Sequence, residues 1–169
     1  MKLNEVKIGE TFKIAGVEFI KCTDGEETIA ITKDSLFDSD FGDNGNFAES
    51  KIKTRLGAEL LPKLEAEIGA ENILEFETDM LALDGTRPYP NFKSKISLVT
   101  LDFYRQHREI FESHKLNSWW WLATPDSETY KNITLCVSPR GGIRNDCHNF
   151  SGVRPFLRFE SSIFVSCEG

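Results

Sequence analysis

Polar and apolar residues alternate strictly in three early stretches of the chain. Thr11-Phe12-Lys13-Ile14 stops at Gly16, Val17-Glu18-Phe19-Ile20 stops before Asp24-Gly25, and Thr28-Ile29-Ala30-Ile31-Thr32 follows. Period-two alternation closed by Gly and Asp-Gly turns is the hairpin signal, so residues 6–33 are expected to form a three-stranded antiparallel meander. The period then changes. Ile52, Leu56, Leu60 and Leu61 fall on one stripe of a helix expected from Ala48 to about Leu61. Pro62 interrupts it, and Lys63–Ile68 makes a second short helix that ends at Gly69. Ile73–Thr78 alternates as a strand, residues 84–95 read as a loop with Pro88 and Pro90, and Ile96–Val99 reads as a short strand. Thr100 is placed as the N-cap of a helix running to about Glu112, with Asp102 in its first turn.

From residue 119 onward only strands are expected: Trp119–Ala123, Ile133–Val137, Ile143–Cys147 after a turn at Pro139–Gly142, Val153–Phe159 and Ser162–Ser166. Successive strand residues point to opposite faces, so Trp119 and Trp121 should share one face and Trp120 the other. The pattern predicts one domain, 1–169, with a β-meander at 6–33, a helical middle at 46–112 and a β core at 118–167. No repeat or linker divides it.

Composition narrows the function classes. The chain has 169 residues, of which 40% are hydrophobic, with thirteen phenylalanines and three tryptophans, enough for an aromatic-rich core. The net charge of −7 argues against nucleic acid and membrane surfaces as partners of the whole protein. The acid is concentrated in the first half, whereas residues 140–158 carry four arginines against Asp146 alone. No apolar run reaches membrane-spanning length, and the first residues lack a signal-peptide pattern, which makes the cytoplasm the expected location. Cys22, Cys136, Cys147 and Cys167 form no Cys-x-x-Cys and read as free buried thiols, without a metal or cofactor. The loop Asp38-Ser39-Asp40-Phe41-Gly42-Asp43 has a calcium-like look. Neither register supplies both the glycine and the glutamate that such a loop needs, and Asx- and Gly-rich turns account for it.

The second half resembles a widespread family of uncharacterised bacterial and phage proteins. The residues that carry the resemblance are Trp120-Trp121-Leu122-Ala123-Thr124-Pro125 and Gly152-Val153-Arg154-Pro155-Phe156-Leu157. Weaker echoes are Ser50 to Leu56 and the helix carrying Tyr104 and Arg105. The resemblance implies an α+β fold: a C-type-lectin-like mixed or antiparallel sheet core with two or three peripheral helices. That broad fold also serves diversity-generating variable proteins of phages and formylglycine-generating enzymes. It implies that the two motif strands lie in the core and frame an exposed polar segment. The chain departs from the family at Ala123, where Arg is usual, and at Phe156, where Ala is usual.

The residues admit several chemistries. The tryptophans could stack a sugar, but a core role for Trp119, Trp120 and Trp121 is the stronger reading, together with Gly152 and Pro155. Arg154 could anchor a ligand, yet its five-donor fork suits tying backbone carbonyls in place. Arg140 and Arg144 flank a Gly-Gly turn and are the better anchors for an anionic ligand or partner. Tyr130, Asn132, Asn145, His148, Asn149 and Phe150 supply the aromatic surface and adaptable hydrogen bonding that binding loops use. Cys147-His148 or Cys136 could act as a nucleophile, although adjacent strand residues face apart and no orienting group is evident. His107 and His114 match no metal spacing. The expectation is a non-enzymatic binding module that presents residues 126–151 to an unknown protein or small ligand, of a kind that a phage or mobile element would encode. The contacts would be Tyr130, Arg140, Arg144, Asn145, His148 and Asn149. A cysteine-dependent enzyme and a virion subunit are the alternatives.

Overall fold

In the computed structural model, residues 1–146 and 150–167 are described. The meander forms as expected from its alternation. Strands β1 (Thr11–Ile14), β2 (Val17–Lys21) and β3 (Glu27–Thr32) pair antiparallel in sequence order. The two-residue strand β4 (Asp38–Ser39) follows in the segment expected to be a loop.

Helix α1 (Lys51–Glu59) is capped by the Ser50 hydroxyl, which accepts from the Lys53 N–H, and buries Ile52 and Leu56. Helix α2 (Leu61–Ile68) begins where the first was expected to be interrupted. Pro62 sits in its first turn, where a missing N–H costs nothing, and the helix ends at Gly69 with φ 89°.

Strands β5 (Phe76–Thr78) and β6 (Phe92–Ser94) pair antiparallel, so a strand closes the segment read as a loop at 84–95; the two prolines precede it. Helices α3 (Leu101–Gln106) and α4 (Arg108–Ser113) replace one continuous helix. Thr100 caps the first as anticipated, and the break falls at His107, with φ −116° and ψ 32°. The remaining strands are β7 (Trp120–Pro125), β8 (Thr134–Val137), β9 (Ile143–Arg144), β10 (Ser151–Gly152) and β11 (Phe156–Glu160).

Two sheets result, beside the β5–β6 pair. One has the order β1-β2-β3-β11 and the other β4-β10-β7-β8-β9, in which the pair β10–β7 is parallel and the rest antiparallel. The protein is therefore a mixed α+β domain with several antiparallel sheets and, among the described residues, four short α-helices rather than two or three. Two expected strands shrink to isolated bridges. From Ile96–Val99 only Ser97 bridges, to Phe156, and from Ser162–Ser166 only Phe164 and Ser166 bridge, to Lys2 and Lys13. Ser97 and Ile73, which bridges Phe159, cover the outer side of β11, and Ser166 covers β1, so these short contacts protect strand edges.

The motif Gly152–Pro155 is the crossover between sheets. Gly152 lies beside Trp120 in the second sheet, and four residues later Phe156 opens β11 in the first, opposite Ile31. The strand expected to begin at Val153 therefore begins three residues late. Side-chain alternation divides the core in two. Trp121 joins Phe12, Phe19, Leu157 and Phe159 under α1 and α2, with Trp119 packed against that cluster. Trp120 joins Ile20, Ile31 and Phe156 under α3 and α4. Both faces of β7 are buried, so the tryptophans serve as core and not as an exposed platform.

Candidate binding face

The polar segment begins at Asp126, directly after β7. Its backbone is held firmly. The Asp126 N–H donates to the Ile133 carbonyl at 2.9 Å, and the Tyr130 N–H donates to the Ser127 hydroxyl at 2.9 Å. The Lys131 carbonyl accepts from the Gly45 N–H at 3.0 Å and from the Tyr89 hydroxyl at 2.7 Å. A Cβ on Gly45 would overlap that carbonyl, so the close approach requires glycine. On this anchored loop Tyr130 is 61% exposed.

Strand β8 then crosses the sheet to the turn at 138–142. There the Gly141 carbonyl, at φ 86°, accepts from the Tyr104 hydroxyl at 2.6 Å and from Arg108 Nη1 at 3.0 Å. Arg140 projects from this turn and is exposed. The chain returns along β9, where Arg144 lies opposite Cys136. Arg144 is exposed, but both arms of its guanidinium meet Asp146, at 3.0 and 2.8 Å, and it lies 5.9 Å from the Trp119 ring. Its charge is engaged within the chain by an exposed ion pair. Asn145 is exposed and its amide donates to Asp126 at 3.3 Å, drawing the return strand to the root of the loop. Asn132 is also exposed. His148 and Asn149, like Cys147, lie outside the described residues. Phe150 is 67% exposed.

The expected face is thus split by the length of β8. Tyr130 and Asn145 stand at the Pro125–Thr134 end of the β7–β8 pair, and Arg140 at the Val137 end. At ~3.3 Å per residue the three steps from Thr134 to Val137 separate these ends by about 10 Å.

The residues assigned to scaffolding are all buried or half-buried. The Trp121 indole donates to the Ser39 carbonyl at 2.8 Å. The Gly152 N–H donates to the Trp119 carbonyl at 2.8 Å, and the Pro155 carbonyl accepts from the Thr32 N–H at 3.2 Å. Arg154 is 1% exposed, and its Nε and Nη2 donate to the Thr32 and Lys33 carbonyls at 3.1 and 2.9 Å. Its guanidinium lies 4.8 Å from the Trp120 ring, and burial brings its pKa down to about 10.

Thiol chemistry finds little support. Burial pushes the Cys22 thiol up to about 12, against the pull of Arg154, so it is the reverse of an activated thiolate. Cys136 is disulfide-bonded, which corrects its expectation as a free thiol; Cys22 and Cys167 are free. His107 stacks on Phe103 at 4.1 Å, and the His114 Nε2 meets the Gly9 carbonyl at 2.9 Å. Among the described residues no cluster of three or more metal-binding side chains occurs, and Asp40 is paired with Lys51 at 2.8 Å.

A second concavity, unmarked in the sequence, opens beside the root of the polar loop. It lies between β5, α3 and the β3–β11 pair, and its residues are common types spread from position 29 to 158.

The fold and the face together define a mixed α+β domain with an anchored, exposed polar loop. Comparison of the chain with family models, curated proteins and solved structures finds no match.

Proposed function

We propose that the protein is a non-enzymatic binding module that docks a partner protein on the polar segment 126–151. The observation that carries this reading is an aromatic side chain left in solvent on a loop whose backbone is hydrogen-bonded at several points. Tyr130 is 61% exposed on a loop pinned by Gly45, Tyr89 and Ser127. Rigid aromatic anchors ringed by polar groups lose little entropy on binding, which is why binding loops favour them. Arg140 adds an exposed cation at the far end of the face.

A C-type-lectin-like arrangement of the core is part of the proposal. Two features support it. The chain ends run side by side, with the Leu3 N–H on the Ile163 carbonyl at 2.8 Å, and the Gly-Val-Arg-Pro segment joins the two sheets beside the tryptophan strand.

Tyr130→Ala and Arg140→Ala, made singly, should each weaken capture of a partner from host lysate by tenfold or more, about the cost of losing one binding hot spot. Thermal unfolding of both variants should stay at the wild-type midpoint, since neither side chain is buried. Unchanged capture by both variants would remove this face from consideration.

Among the described residues no helix is long and apolar enough to cross a membrane. The disulfide at Cys136 weighs against the cytoplasm as the location, because disulfides persist in oxidising compartments. Protein isolated without reductant and alkylated in denaturant should carry label on Cys22 and Cys167. Cys136 should take label only after reduction, as read by peptide mass mapping.

A further inference from the structure

Asn44-Gly45 lies where the polar loop is pinned, and this dipeptide carries chemistry of its own. A glycine nitrogen has no side chain to shield it, so it can attack the carboxamide carbon of an asparagine that precedes it. The surroundings decide when it does.

The electrophile is already arranged. The Asn44 Oδ1 accepts from the Asn46 N–H at 2.9 Å, an Asx turn that folds the carboxamide over its own peptide bond to Gly45 and polarises its carbonyl. The nucleophile is held back. The Gly45 N–H donates to the Lys131 carbonyl at 3.0 Å and to the Tyr89 hydroxyl at 3.2 Å, and that hydroxyl donates to the same carbonyl at 2.7 Å. Gly45 is buried, and a Cβ there would overlap the Lys131 oxygen. A buried, hydrogen-bonded amide gives up its proton only through local opening. The Gly45 nitrogen is therefore free to react only when residue 131 moves off it.

We propose that Asn44 is a self-modification site gated by the polar loop. When the loop opens, the Gly45 nitrogen gives its proton to water or hydroxide and bonds to the Asn44 Cγ. The bond from Cγ to the side-chain nitrogen breaks, and that nitrogen takes up a proton and leaves as ammonia. One water then opens the cyclic imide at either carbonyl, giving an aspartate or an isoaspartyl linkage. Asparagine and water become a carboxylate and ammonia, with no change of oxidation state. The isoaspartyl product adds one carbon to the main chain ahead of Gly45, and both products place a new carboxylate beside Asp43. The bond from Gly45 to Lys131 depends on where that nitrogen sits, so conversion releases the loop irreversibly. The modification is read by mass and stands apart from the docking reading; only its effect on a partner rests on that reading.

The test follows folded wild type, folded Tyr89→Phe and both chains in urea at mildly alkaline pH, by peptide mass mapping. Folded wild type should convert Asn44 at least about tenfold more slowly than the same chain in urea, the protection given by a loop that is open a tenth of the time or less. Tyr89→Phe removes one acceptor of the Gly45 N–H and one tether of Lys131. It should convert severalfold faster than wild type when folded and at the wild-type rate in urea. Asn117, which precedes Ser118 in an exposed bend, is the internal reference, and its folded rate should be the same in both chains. That separates opening of the loop from general loosening. The converted fraction, isolated by anion exchange through its added charge, should show faster amide exchange at residues 127–133. The proposal is overturned if Asn44 converts equally fast folded and in urea, or if Tyr89→Phe leaves its folded rate unchanged or raises that of Asn117 alike. It is equally overturned if the converted chain exchanges at 127–133 as the fresh chain does.

Discussion

Arg154→Ala should lower the unfolding free energy by about 3–5 kcal/mol, the usual result of removing one side of a buried polar contact and leaving a cavity. Its guanidinium spans the Thr32 and Lys33 carbonyls at 3.1 and 2.9 Å and covers the Trp120 ring. The substitution strips two carbonyls of their donors at the point where the chain passes from one sheet to the other. For a chain of this size the loss corresponds to about 10 °C in the unfolding midpoint. Arg154→Lys should recover only part of it, because an ammonium lacks the planar fork that reaches both carbonyls and covers the indole. Denaturant titration followed by tryptophan fluorescence measures both. A wild-type midpoint for Arg154→Ala would show that the residue is not structural.

Lys21→Met should cost about 2–4 kcal/mol, the range for leaving buried acceptors without their charged donor. Lys21 is 1% exposed, although Asp24, its ion-pair partner at 2.8 Å, is largely in solvent. Its ammonium also donates to the Val6 and Leu3 carbonyls, at 2.8 and 3.2 Å, so all three protons are placed. Methionine keeps the stem's volume and removes only the charge. The effect should be local as well as global. Amide exchange at Leu3 and Asn4, whose N–H groups bond the Ile163 and Ser161 carbonyls, should accelerate before that of β3. Uniform acceleration across the chain would show that Lys21 does not anchor the N-terminal segment in particular.

These two residues illustrate what the sequence makes legible. The role of Arg154 follows from a five-donor fork placed beside a glycine turn, although the residue lies in the crossover before β11 and not in a strand. Lys21 was equally accessible to alternation: Val17, Phe19 and Lys21 share a face, and the first two are core. The meander was readable because its polar and apolar residues alternate over four or more residues, and the tryptophan strand because it is an unbroken apolar run bounded by a proline turn. Strand β6 and the two-residue strands β4 and β10 were not. They are too short to show a period and exist only because a neighbouring strand offers an edge. The polar loop could be recognised as exposed, but its division by β8 depends on register, and the pairing of Arg144 with Asp146 depends on the return of β9. The cleft beside the polar loop was invisible because β3, β5, α3 and β11 each supply only one to three ordinary residues, far apart in the sequence.

The pairing of β3 with β11 has a consequence for biosynthesis. Residues 27–32 leave the ribosome more than 120 positions before residues 156–160, which fill their open side. Throughout that interval the nascent chain exposes Thr28–Ile31 as an unsatisfied template for other chains. This sheet can therefore close only once residues 156–160 have emerged, and chains stalled before Phe156 should be those that aggregate or recruit chaperones.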